Sequence, residues 1–337
     1  MSACGRGARL AFADSVIGTV RAVVLAALLL AFALFVANAG AAAVPAEQAG
    51  DAIGFWTAAR MRQAQPLEVR RQGRAQIAMR GPAGLPSLGP RILPPSLPSG
   101  EASASSKFET VADPTTVQSR VNGAIFIETP FGLGRCSGTA VNSPNFSVVF
   151  TAGHCVNTGG SFGRWLSFRW VFVPGYRYGQ RPFGVFPAKW IDTTRQWRKT
   201  GSENFDVGAA VVTRNGRGEL LGKAVGGDGI AWGLKTRQVF DVHGYPVEEP
   251  FDGETQQLCS QTPFLGHDTL SFLSPGPLNL AVDCDVTGGA SGGGWTIRDG
   301  VLNSVTNYGY GDDPNTDFGA YFGDEVAKLF HRAASIK

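Results

Sequence analysis

From Thr110 onward the sequence is broken every few residues by Gly, Pro, Asn or Asp, and the runs between the breaks are too short for ordinary helices. The apolar, β-branched or aromatic runs are GAIFIE (123–128), CSGTAV (136–141), SVVFTA (147–152), LSFRWVFV (166–173), VGAAVVT (207–213), RQVFDVH (237–243), TLSFL (269–273), LNLAV (278–282), GGWTI (293–297) and NSVTNY (303–308). Many short strands at close spacing, with no helical period between them, predict an all-β barrel or sandwich. Only the end departs from this pattern. There Asp324 is placed to cap a helix in which Val326, Leu329, Phe330 and Ala333 form one apolar stripe. Residues 110–337 are therefore read as the folded domain, long enough for two small barrels and a closing helix. No internal sequence repeat is visible.

The preceding 109 residues read differently. Arg6, Arg9 and Arg21 come before an uncharged apolar run from Ala22 to Ala37, and Ala37-Asn38-Ala39 supplies the small-x-small pattern of a cleavage site. Residues 1–39 are read as a signal peptide, and the mature protein as secreted. The rival reading is a retained anchor, with membrane attachment only through this segment if it stays uncleaved. It meets the difficulty that 16 apolar residues span roughly 24 Å as a helix, short of a ~30 Å hydrocarbon core. Residues 40–109 hold eight of the 20 prolines and few aromatics, so on their own they bury too little apolar surface to offset chain entropy. They are read as a pro-region or disordered linker, with a short helix conceivable around 46–65 and processing points at Arg70 and Arg71. The net charge is only +3, and residues 110–337 carry 19 basic against 21 acidic side chains, which argues against a nucleic-acid partner. Cys4 falls within the leader, leaving Cys136, Cys155, Cys259 and Cys284. An even set in an exported protein suits disulfides, and four cysteines allow three pairings. There is no CxxC pattern for zinc.

Three places carry chemistry. In SVVFTAGHC a β run ends in small residues and then His154, beside a cysteine that a crosslink would hold rigid. In NFDVGAAVV, Asp206 is the one charge at the mouth of an apolar strand, where a carboxylate needs a hydrogen-bonding partner such as an imidazole N–H. In DVTGGASGGGW, glycines surround Ser291, leaving the hydroxyl accessible and the backbone free to turn N–H groups toward a developing oxyanion. GASGG also fits the nucleophile elbow of α/β-hydrolases, but that fold needs a histidine after the serine and helices before it. His331 in the terminal helix is the only later histidine, and the upstream chain is β-rich.

The order His154, Asp206, Ser291, carried by CSGTAV…TAGHC, FDVGAAVV and GGASGGG, resembles the bacterial, glutamyl-endopeptidase-like branch of the chymotrypsin-fold (trypsin-like) serine peptidases. The likeness runs from Gln118 to the C-terminal helix. It implies two six-stranded antiparallel β-barrels with a C-terminal α-helix and an active site between the barrels. By the same resemblance Ser291 is the nucleophile, His154 the base and Asp206 its orienting acid, with Gly289 and Ser291 N–H groups as the oxyanion hole. It also implies that Cys136 pairs with Cys155 and Cys259 with Cys284. Ala290 stands where animal trypsin-like enzymes carry the aspartate that receives a freed N-terminus, so that activation switch is not expected. Asp285, six residues before Ser291, occupies the position of a selector for Arg or Lys, and Thr306 replaces the histidine of Glu-selecting relatives. His243 is read as a structural or surface histidine, and His267 and His331 as exposed. HExxH, Walker A and EF-hand patterns are absent, so no cofactor and no metal are expected, although the acidic turn at 311–317 is a conceivable weak cation site. The expected activity is that of a monomeric, secreted serine endopeptidase acting on proteins or peptides through an acyl-enzyme. The alternative is a catalytically inactive binding protein on the same scaffold, which would be betrayed by loss of a triad member.

Overall fold

The computed structural model describes residues 40–67, 69–79, 89–97, 104–105, 107–273 and 276–337; the leader reading for 1–39 lies outside the described residues. Two six-stranded antiparallel barrels account for most of them. The first comprises β1 (Asn122–Thr129), β2 (Gly132–Val141), β3 (Val148–Thr151), β4 (Val171–Pro174), β5 (Phe186–Thr193) and β6 (Gly208–Val212). Its strands neighbour one another in the order β5-β4-β1-β2-β3-β6, and β6 pairs back onto β5 to close the ring. The second comprises β7 (Val239–Gly244), β8 (Gln257–Asp268), β9 (Leu280–Asp283), β10 (Gly294–Ile297), β11 (Val301–Tyr310) and β12 (Asp313–Gly319). Its order is β10-β7-β8-β9-β12-β11, closed by β10 on β11. Both rings therefore follow one cyclic order, a repeat of topology that the residues themselves do not display.

Each barrel is filled from its inward-facing positions. Ile125, Val149, Phe172, Phe186, Ile191 and Val212 form the first core, and Phe240, Val242, Leu280, Val282 and Trp295 the second. A third cluster joins the outer face of β3 and β6 to the C-terminal helix. That helix, α3 (Asp324–Ser335), buries the stripe Val326, Leu329, Phe330 and Ala333 against Phe150, Val211 and Trp232. Its N-cap is Gly323 rather than Asp324, which sits in the first turn, where a carboxylate complements the helix dipole. Among the described residues no helix is long and apolar enough to cross a membrane.

Several strands differ from the sequence expectation. TLSFL is a 3₁₀ segment, Thr269–Leu273, because Asp268 Oδ1 accepts the Leu270 N–H and Ser271 Oγ donates to the Asp268 carbonyl, bending the chain out of β8. Strands β5, β8 and β12 were not anticipated. Pro187 and Lys189 disguise the first, polar residues and Pro263 the second, and DPNTD the third. The acidic turn considered for a cation thus largely forms β12, paired with β9 and β11.

The described part of residues 40–110 contributes more structure than its composition suggests. Ala42–Ala43 pairs with β5, helices α1 (Ala46–Phe55) and α2 (Ala58–Gln63) follow, and Trp56 is fully buried beside Phe126 with its indole N–H on the Arg169 carbonyl at 2.6 Å. Further on, Ile77–Ala78 and Glu109–Thr110 pair with β8, and Arg91–Leu93 pairs with Gly229–Trp232. The segment has too few apolar residues for a core of its own. It uses barrel edges and one tryptophan instead, an option that local composition does not reveal.

Candidate active site

The histidine and the aspartate emerge from neighbouring strand ends. β3 ends at Thr151 and the chain enters a 3₁₀ turn, Gly153–Cys155, while β6 begins two residues after Asp206 and pairs with β3 through Gly208 and Thr151. The disulfide Cys136–Cys155 ties the turn to β2, and Cys259–Cys284 ties β8 to the loop after β9. Both cysteine pairs are those implied by the family resemblance.

Asp206 grips His154 twice. Its Oδ1 accepts the His154 backbone N–H at 2.7 Å, and its Oδ2 lies 2.7 Å from His154 Nδ1, with both side chains buried. A carboxylate only accepts, so Nδ1 carries a proton, and in the neutral imidazole the lone pair is on Nε2. Nε2 is buried and has no hydrogen-bond partner among the described residues. The close approach depends on Gly153, since a Cβ there would stand 2.7 Å from Asp206 Oδ1 and 2.8 Å from both Thr193 Oγ1 and Trp197 Cδ1. Trp197 walls the other side of the imidazole, 6.4 Å between ring centroids, anchored by its indole N–H on the Asn157 carbonyl at 2.8 Å.

Ser291 lies in the loop between β9 and β10 and is drawn onto the first barrel. Its carbonyl accepts Ser137 N–H at 2.8 Å and stands 3.7 Å from the Cys155 sulfur, next in sequence to His154. Two more bonds hold the loop on the second barrel: Gly292 N–H to the Thr306 carbonyl at 2.7 Å and Thr306 N–H to the Gly293 carbonyl at 2.9 Å. Gly289 has φ of +97°, and a Cβ there would stand 2.8 Å from the Tyr245 carbonyl and closer still to Val247. Only glycine meets both demands. Among the described residues the N–H groups of Gly289 and Ser291 donate to no acceptor. Two uncommitted donors at the serine loop, and an imidazole whose neighbour Cys155 that loop's carbonyl faces, are parts that acyl transfer requires.

Ser137 was not singled out in the sequence. Its hydroxyl accepts the Tyr245 N–H and donates to the Gly289 carbonyl, both at 2.9 Å, fixing the residue whose N–H is one of the free donors. A serine inside CSGTAV carries no local sign of that role. Asp285 is half-buried, and its Oδ1 accepts the Phe108 N–H at 2.6 Å. Thr306 is buried, accepts the Trp295 indole N–H at 2.9 Å and donates to Asp317 Oδ2 at 2.6 Å. His267, expected to be exposed, is buried, and burial pushes its imidazole below the ordinary range. His243 is buried in β7 beside Gln256, and desolvation lowers it to about 4. His331 is exposed against Trp232.

No family model matches the chain, and no curated protein matches it in sequence. Solved structures do. The protease Anisep from Arthrobacter nicotinovorans is 32% identical over 64% of this chain and 96% of its own, with a TM-score of 0.59. A thermostable serine protease, AL20, from an extremophilic microorganism is 32% identical over 66% of this chain and 100% of its own, at 0.60. A Glu endopeptidase, 18% identical over 70% and 99% with a TM-score of 0.54, shares the fold.

Proposed function

The chain belongs to the chymotrypsin-fold serine proteases, and from that premise we propose that it is a secreted endopeptidase working through Ser291, His154 and Asp206. The observation that carries this reading is the His154–Asp206 pair at 2.7 Å, with Nε2 left unpartnered and the adjoining Cys155 sulfur 3.7 Å from the Ser291 carbonyl. Ser291 Oγ attacks the carbonyl carbon of a peptide bond while His154 Nε2 takes its proton. The negative oxygen of the tetrahedral intermediate enters between the Gly289 and Ser291 N–H groups. Collapse breaks the C–N bond, His154 returns the proton to the leaving amine, and an acyl-Ser291 ester remains. Water, deprotonated by the same imidazole, hydrolyses it. Asp206 holds the imidazole in the useful tautomer and stabilises its cation.

Two disulfides and the leader-like first 39 residues support an oxidising compartment outside the cytoplasm. Asp285 and Thr306 remain the candidates for selecting the residue at the cut. All three triad side chains are retained, which favours an active enzyme over an idle scaffold. The test is a peptide library cut by the exported protein and mapped by mass spectrometry, with Ser291→Ala alongside. Turnover in the variant is expected to fall by on the order of 10⁴ to 10⁶; unchanged cutting would overturn the assignment.

A further inference from the structure

One strand edge beside the proposed active site has an occupant within the chain itself. Past Thr306, β11 runs on to Tyr310, away from Ser291, with β12 along one side. Val69–Arg71 takes the other edge, Val69 opposite Tyr308, Arg70 opposite Gly309 and Arg71 opposite Tyr310, running parallel to β11. Just before it, Gln65 and Pro66 pair in parallel with Gly134 and Arg135 of β2, and Leu67 N–H donates to the Arg135 carbonyl at 3.1 Å.

These two attachments flank the nucleophile loop. Arg135 adjoins Cys136, which is crosslinked to the neighbour of His154, and next to it Ser137 binds the carbonyls of both Gly289 and Ser291. The β11 attachment begins two residues after Thr306, which is bonded to Gly292 and Gly293. From Leu67 to Val69 the chain has two residue steps, at most about 7 Å, in which to pass from one barrel edge to the other. The two attachments therefore lie on either side of the Ser291 loop, one on each barrel.

Arg71 anchors the far end. Its guanidinium pairs with Asp268 Oδ2 at 3.0 Å, donates to Tyr310 Oη at 2.7 Å, lies 4.3 Å over the Tyr308 ring and forms an ion pair with Glu203. Glu203 opens the turn that ends at Asp206, so the anchor grips the second barrel and the loop carrying the triad acid together.

We propose that residues 65–67 and 69–71 are a built-in inhibitor, paired to both edges of the substrate cleft in the uncleavable direction and locked there by Arg71. The inference rests on the reading of Ser291 as nucleophile. Main-chain pairing to a sheet edge holds any extended peptide with little regard to sequence. Cleavage demands more: the carbonyl oxygen must face the Gly289 and Ser291 donors while the amine faces His154. Reversing a strand exchanges its amine and carbonyl sides, so a reversed segment occupies the cleft without presenting a scissile bond. Tethering makes even weak pairing effective, because a covalently linked strand acts at millimolar local concentration.

Two full-length variants loosen the segment and leave the proposed catalytic residues untouched. Arg71→Ala removes the anchor, and Val69→Pro deletes an N–H from the paired strand. Each is compared with the parent chain and its Ser291→Ala form by three measurements: kcat/KM on an internally quenched peptide, labelling by a small fluorophosphonate carried to completion, and intact mass. Both variants are expected to gain about tenfold or more in kcat/KM, Ser291 to be labelled in parent and variants alike, and the parent to stay uncut between residues 66 and 70. Equal kcat/KM with Ser291 labelled throughout would overturn the inhibitor and leave the protease reading standing. A cut within 66–70 in the parent would also overturn it, since the segment would then be a substrate. Folded chains that label nowhere would contradict the nucleophile reading, and this inference with it. Because the two variants act on different bonds, a fold defect in one leaves the other to decide.

Discussion

The two barrels share one strand order but hold their halves of the proposed site by different means. The first presents side chains: His154 and Asp206 are fixed by two hydrogen bonds of 2.7 Å, a disulfide and the bare Cα of Gly153. The second presents backbone: its donors at Gly289 and Ser291 are aimed by a loop with φ of +97° at Gly289 and +81° at Gly292. The difference fits the chemistry assigned to each. A proton carrier needs a titratable group in one orientation, whereas an oxyanion needs donors that never reorganise.

Breaking the side-chain half has the largest expected effect. Asp206→Asn keeps the shape but offers an amide in place of a carboxylate to Nδ1, favouring the wrong tautomer. The kcat is expected to drop by on the order of 10⁴, with the thermal midpoint nearly unchanged. A loss of less than about tenfold would mean that Asp206 does not orient the base. Breaking the backbone half is expected to cost less. Gly289→Ala must adopt a positive φ and push a Cβ onto Val247. The expected loss is roughly 10² to 10³ in kcat, read in steady-state kinetics. Equal activity would show that the Gly289 N–H is not used.

The smallest test concerns stability and sharpens the comparison within the second barrel. Burial lowers His243 to about 4, so between that value and the ordinary ~6.5 the unfolded chain binds a proton that the folded chain does not. The contribution is therefore fully present above pH ~6.5 and is lost as the pH falls toward 4. Its full size is on the order of 3 kcal/mol. Denaturant midpoints measured from pH 7 to 4.5 should fall with acid, and His243→Gln should flatten that slope. An unchanged slope would locate the acid sensitivity elsewhere.

The glycines, the serine, the histidine and the aspartate were legible because each is an unusual residue in a β context. Strands such as GAIFIE and VGAAVVT were legible because both faces of the closed barrel are buried, leaving continuous apolar runs. Strands β5, β8 and β12 were not: they owe their conformation to ladders with distant partners, and their Pro, Lys and Asp residues read locally as turns. Ser137 was invisible for the same reason, since its bonds reach Tyr245 and Gly289, more than 100 residues away. The segment before Thr110 shows the limit of composition. Too poor in apolar residues to fold alone, it pairs with edges that other parts of the chain supply.

The most direct test of the central claim is where a covalent serine reagent lands. The exported protein would be reacted to completion with a small fluorophosphonate, digested and mapped by mass spectrometry, with and without the His154→Ala change. The account predicts a single adduct on the peptide bearing Ser291, formed far more slowly without His154. An unmodified Ser291, or an adduct that forms at the same rate without His154, would contradict it.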